Sequence, residues 1–234
     1  MCGIAGIIEF QAPLISQEEF DPFLDSISHR GPDGRGVHCE KGVFIGHRRL
    51  TILDLSQNAS QPMADSSGRY WITFNGEIYN FLELRRELGG YFRTESDTEV
   101  ILEAYKKWGP QCQLRFNGMW SFAIWDSWER KLFISRYRFG VKPLYYYQVA
   151  IERAGFCTNG QAARALTCRA ANFRERAAFR YAQPFGGGSA TSGANDRGFA
   201  GAHSGRTGET IAPHARAATA PGRNPSSAKT FRVG

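Results

Sequence analysis

A break in composition near residue 150 limits where a chain of this kind can build a core. All five Trp lie before position 129, and the last 84 residues carry only four Ile, Leu or Val (Ile151, Leu166, Ile211 and Val233) beside 19 Ala and 12 Gly. Residues 151–234 hold 12 Lys+Arg against 4 Asp+Glu, so the excess of +7 on the whole chain comes entirely from this part. A segment this poor in branched aliphatics buries too little apolar surface to offset the entropy of ordering it. The sequence therefore predicts one folded domain over residues 1–148 and a disordered tail over 149–234.

Within the first part, hydrophobic period and turn residues mark the elements. The apolar run of Cys2 to Phe10 reads as a buried strand. Ser16 opens a helix that carries Phe20, Phe23, Leu24 and Ile27 at helical spacing, and the dense Gly, Pro and Asp of His29 to Gly34 form a loop. Strands are expected over 42–50, 69–78, 91–93, 119–126, 132–136 and 144–147, and helices over 81–88 and, with Val100, Ile101, Ala104, Tyr105 and Trp108 on one face, after Asp97. Elements that come in batches favour sheets packed against helix layers over a strictly alternating parallel sheet.

Several classes of function are excluded. Five Cys with no CxxC or Cys/His spacing fit neither a disulfide framework nor a zinc site. They suit a reducing cytoplasm, and no metal is expected. No signal peptide or membrane-length apolar run is present, and the basic residues of the tail are too dispersed for a nucleic-acid arm. Gly186 to Gly188 lacks the strand before it and the Gly-Lys-Ser/Thr after it that a phosphate loop needs.

Cys2 follows the initiator methionine directly. A cysteine thiol with a pKa near 8.5 is only a few per cent ionised at neutral pH and needs a base to attack a carbonyl. Removal of Met1 would leave Cys2 with its own α-amine, a group whose reference pKa of about 7.7–8.0 leaves part of it neutral at pH 7. The plainer reading makes Cys2 a small buried hydrophobe at a strand start.

The segments MCGIAGI, HRGPDG, HRRLTILDL, FNGEIYN, SDTEV, GMWSFAIWD and RFGVKPLYY resemble the glutaminase domain of asparagine synthetases. That domain is a class II glutamine amidotransferase, an N-terminal nucleophile (Ntn) hydrolase with a four-layer αββα sandwich. The resemblance covers about residues 2–147. It implies Cys2 as nucleophile on the side-chain amide of glutamine, and Asn75 and Gly76 as donors to the tetrahedral oxyanion. Arg49 would hold the substrate α-carboxylate, and Glu77 and Asp97 its α-ammonium. Arg30 to Asp33 would support the site, and Arg48 would face solvent. Read without the resemblance, Asn75-Gly76 is a hairpin turn, Glu77 a surface charge and Asp97 a helix cap.

In the full family enzyme, a second domain uses ATP and Mg to amidate aspartate with the released ammonia. Its SGGxDS loop is missing here, so this chain is expected to bind no cofactor and to be a truncated glutaminase half. A separate ammonia-accepting synthetase subunit, an inactive remnant, and self-association as a homodimer remain open. The change of character after residue 148 also suggests a shifted reading frame. Tyr137, standing where the family has an aspartate, would leave Arg136 or Arg138 short of a partner.

Overall fold

The computed structural model describes residues 1–10, 15–51, 57–149, 153–160, 162, 178–181 and 227–232. Two antiparallel sheets lie face to face. The first holds β1 (Gly3–Glu9), β2 (Gly34–Glu40), β3 (Val43–Arg49), β8 (Tyr145–Val149), β9 (Arg153–Cys157) and β10 (Ala178–Tyr181), in the order β10-β8-β9-β1-β3-β2. The second holds β4 (Met63–Ala64), β5 (Tyr70–Ile78), β6 (Gly118–Asp126), β7 (Lys131–Arg136) and β11 (Ser227–Arg232), in the order β11-β7-β6-β5-β4. Helix α1 (Gln17–Asp25) covers the outer face of the first sheet, and α2 (Phe81–Leu88) and α3 (Asp97–Trp108) cover the outer face of the second. This is the αββα sandwich.

The two-residue period of a strand assigns each side chain to its layer. On β1, Ile4 and Ile8 enter the inter-sheet core with Val43, Ile45, Trp125 and Ile134, whereas Ala5 and Ile7 meet Phe20, Leu24 and Ile27 of the α1 layer. On β5, Ile72, Phe74 and Ile78 pack with Val100, Ile101 and Ala104 of α3, leaving Thr73 to face the other sheet, where its hydroxyl donates to Gly46 O at 3.2 Å. Every second residue of β5 therefore points between the sheets.

The domain does not end at 148. Strand β9 lies inside the first sheet, between β1 and β8, and Ala154, Phe156 and Cys157 are buried. Counting Ile, Leu and Val missed it because it packs by a different means: a ring set against glycine. A Cβ on Gly6 would come within 2.4 Å of the Phe156 ring opposite it, and one on Gly155 within 2.1 Å of the Tyr147 ring. Glu9 and Arg153, opposite each other in the register, form an ion pair at the end of the strand. Part of the tail read as disordered thus forms a strand of the first sheet. Most of the remaining tail, including Gly186 to Gly188, lies outside the described residues. Replacing Phe156 by Ala should cost about 3–5 kcal/mol, the usual loss for a buried aromatic, as read from the urea unfolding midpoint.

Two local expectations change. Residues 91–93 form no strand: the backbone N–H groups of Arg93 and Thr94 donate to the Glu99 carboxylate at 3.0 and 2.8 Å instead of to a neighbouring strand. The edge strand β2, Gly-rich and only partly buried, was not expected. Beside Tyr137, the Nε of Arg138 is buried with no acceptor among the described residues, while its guanidinium lies 4.6 Å from the centre of the Phe139 ring. Among the described residues Cys2, Cys39, Cys112 and Cys157 are free thiols, no group of His, Cys, Asp or Glu could hold a metal, and no helix is long and apolar enough to cross a membrane.

Candidate active site

A cavity of about 120 Å³ opens at one end of the inter-sheet space. Cys2, Arg49, Asn75, Gly76, Glu77 and Asp97 all line it, together with Met1, His47, Gln61 and Lys142. The six residues singled out in the sequence, spread over 96 positions, thus meet at one site.

Cys2 immediately precedes β1, whose pairing with β3 begins at Gly3 opposite Arg48. Its Sγ lies against the backbone of Leu50, 3.4 Å from the N and 3.5 Å from the O. Arg30, in the tight turn Ser28–Arg30, donates from Nε to Cys2 O at 3.2 Å. The following loop is tied to the end of β3, with Asp33 N donating to Arg49 O at 2.9 Å and Thr51 N donating to the Asp33 carboxylate at 2.8 Å. Arg30 thus contacts the backbone of Cys2 directly, and Asp33 fixes the end of β3 beside it.

Alternation separates the two neighbouring arginines. Val43, Ile45, His47 and Arg49 share the inner face of β3, so His47 and Arg49 reach the cavity. Arg48 points to the α1 side and pairs with Asp25 instead of facing open solvent.

Strand β5 carries the central groups. Because β4 covers only Trp71 and Ile72, the edge of β5 from Phe74 onward has no neighbouring strand on that side among the described residues. Side chains take over: Phe74 N donates to Gln61 Oε1 at 2.6 Å, His47 Nε2 lies 3.1 Å from Phe74 O, and Ile78 N donates to Asp97 Oδ2 at 3.0 Å. Residues two apart present their backbone groups to the same edge, so the Gly76 N–H turns the same way as those of Phe74 and Ile78. A Cβ at Gly76 would fall 2.3 Å from Met119 O, so the position admits no side chain. Asn75 faces the opposite sheet, is 2% exposed, and its Nδ2 has no acceptor among the described residues. A buried amide donor without a partner is uncommon and costs stability. Asn75-Gly76 is thus mid-strand and not a hairpin turn.

Asp97 is the first residue of α3, but the cap is Ser96, whose Oγ accepts from Thr98 N at 3.1 Å. This frees Asp97 to bridge the helix to β5. Burial raises its pKa to about 6, the Ile78 N–H opposes the rise, and the charge of Glu77 adds to it. His47 moves the other way, to about 4, chiefly through burial, and so is neutral near pH 7. A carboxyl whose folded pKa exceeds its unfolded value stabilises the fold at low pH and loses that contribution as pH rises from about 4 to 6. The depressed His47 contributes in the opposite sense over about the same window, so the Asp97 part is read by difference. Replacing Asp97 by Asn should flatten this loss and raise stability at pH 7 by about 1–3 kcal/mol, measured by urea unfolding at pH 4.5 and 7.

Lys142, His47 and Gln61 are cavity residues to which sequence reasoning gave no role. Lys142 was visible inside the RFGVKPLYY segment and His47 inside HRRLTILDL, but Gln61 falls in a polar stretch with no signal of its own.

Comparison with known proteins places this geometry. Residues 1–184 match the glutamine amidotransferase domain family. Asparagine synthetase (glutamine-hydrolyzing) 3 of Bacillus subtilis is 41% identical over 152 residues, 62% of this chain and 25% of the relative. Asparagine synthetase (glutamine-hydrolyzing) 1 of the same organism is 42% identical over 152 residues, 62% of this chain and 24% of the relative. The chain thus spans about a quarter of the length of these curated relatives. Among solved structures, the glutamine phosphoribosylpyrophosphate amidotransferase of B. subtilis superimposes with a TM-score of 0.61 at 20% identity, over 78% of this chain and 46% of that one, a likeness of fold. The chain belongs to the glutamine amidotransferase domain family, class II, a family of enzymes.

Proposed function

We propose that the chain hydrolyses glutamine to glutamate and ammonia as the glutaminase half of an asparagine synthetase, with Cys2 as nucleophile once Met1 is removed. The observation that carries this reading is the unpartnered, buried Nδ2 of Asn75 in the cavity that Cys2 lines. A donor kept without an acceptor in the resting site is available to an oxygen that becomes charged only during reaction.

Met1 is 52% exposed at the cavity, within reach of an aminopeptidase. Its removal turns the Cys2 nitrogen from an amide into an amine, which can take the thiol proton. The thiolate then attacks the side-chain carbonyl of glutamine, and the oxyanion is held by Asn75 Nδ2 and the Gly76 N–H. The amine passes the proton to the departing nitrogen, ammonia leaves, and water hydrolyses the γ-glutamyl thioester on Cys2. Arg49, able to offer two parallel N–H donors, binds the α-carboxylate, and Glu77 and Asp97 bind the α-ammonium. An ionised Asp97 is needed for that contact, so the raised carboxyl makes glutamine binding weaken as pH falls through about 6.

The ammonia would serve ATP-dependent amidation of aspartate in a synthetase domain or subunit, where ATP and Mg would act. The relatives, about four times longer than the matched region, support this assignment. Purified protein lacking Met1 should release ammonia and glutamate in equal amounts from glutamine. A folded, Met1-free protein that releases neither would be the inactive remnant.

A further inference from the structure

Among the charged residues that line the cavity, Arg49, Glu77 and Asp97 are assigned to the substrate and Lys142 is left over. It lies in the connection between β7 and β8 and is only 8% exposed. Its Nζ sits 3.2 Å from the Sδ of Met1, and no carboxylate lies within ion-pair distance among the described residues. Lysine is seldom buried unless paired, and a thioether is a weak acceptor. The ammonium is therefore held beside the first residue of the chain by a partner that processing takes away.

The charges around it come from several elements. Glu77 on β5 and the Cys2 thiol favour the ammonium, Arg30 from its turn opposes it, and burial opposes it most. Arg49 from β3, Asp97 from α3 and a neutral His47 line the same cavity.

We propose that Lys142 is a positioning residue for the base of the reaction: after Met1 leaves, its ammonium faces the new α-amine of Cys2 and keeps that amine unprotonated. A like charge within about 4–6 Å disfavours the protonated form of its neighbour. The neutral amine can then accept the thiol proton and later deliver it to the departing ammonia. Glutamine strengthens the effect, because its ammonium takes up the charge of Glu77 that otherwise offsets Lys142. The inference rests on the assignment of Cys2 as a nucleophile that uses its own amine.

The test is the pH profile of kcat/KM for glutamine in Met1-free wild type, Lys142→Met and Lys142→Arg. The wild-type acidic limb should fall below the ordinary α-amine range of about 7.7–8.0. Lys142→Met should move it up by about one pH unit, with activity approaching wild type above about pH 9, and Lys142→Arg should hold it. An unmoved limb in Lys142→Met, or an equal loss at every pH with a raised KM, would overturn the proposal, the latter marking a lysine that binds substrate.

The amine can also be titrated without turnover, from the α-nitrogen signal of [15N]cysteine-labelled protein, in which Cys2 alone is an amine and not an amide. A wild-type titration inside the ordinary range would overturn the proposal even if neither variant folds. Absence of glutaminase activity beside a lowered titration would sink the assignment of Cys2 and leave the Lys142 effect standing.

Discussion

Replacing Cys2 by Ala should reduce glutamine-dependent ammonia release at least about 10⁴-fold, to the level of buffer, in a protein that remains folded. The thiol contributes little to the fold: its contacts are two long sulfur interactions with the Leu50 backbone, at 3.4 and 3.5 Å, and it is only partly buried. Ala keeps the strand start and the Arg30 contact to the backbone carbonyl of residue 2. Chemistry and stability are thus separable at this position. Release above about a tenth of wild type would mean that another group attacks the amide. A comparable loss accompanied by unfolding in the far-UV spectrum would mean that Cys2 is the plain buried strand residue.

Replacing Asn75 by Ala should lower kcat by about 10²–10³-fold with little change in KM, the cost of one oxyanion donor. The stability readout points the other way from an ordinary buried polar residue. Removing a donor that has no acceptor among the described residues takes away a desolvation penalty, so the melting temperature should hold or rise. An asparagine whose amide served the fold would show the reverse, a clear drop in melting temperature with kcat nearly intact. The two measurements together decide between these roles.

What the sequence made legible follows from period and punctuation. Helix α2 was expected at 81–88 and is found there, and the three central strands of the second sheet, β5, β6 and β7, match within a residue or two because their alternation is uninterrupted, whereas the short β4 and the tail strand β11 were not expected. The separate roles of Arg48 and Arg49 were available from alternation along β3 once Val43 and Ile45 are taken as inward. Strand β9 was hidden because Arg-Ala-Gly-Phe-Cys gains its burial from glycines on neighbouring strands that leave room for aromatic rings, a fit between distant segments that no local window contains. Residues 91–93 look like a strand locally, and the competing Glu99 carboxylate is six residues away from Arg93, within a helix. Of the site, the resemblance named six residues that do meet. The unpartnered state of Asn75 and the place of Lys142 beside Met1 exist only in three dimensions.

Central to the mechanism is that Cys2, the residue directly after Met1, forms a covalent bond with glutamine. Met1-free protein mixed with glutamine, quenched in acid and digested should yield an N-terminal peptide heavier by one γ-glutamyl group, attached at Cys2 and lost on treatment with hydroxylamine. Ammonia release with that peptide unmodified at every quench time, or with the glutamyl group on another residue, would contradict the account.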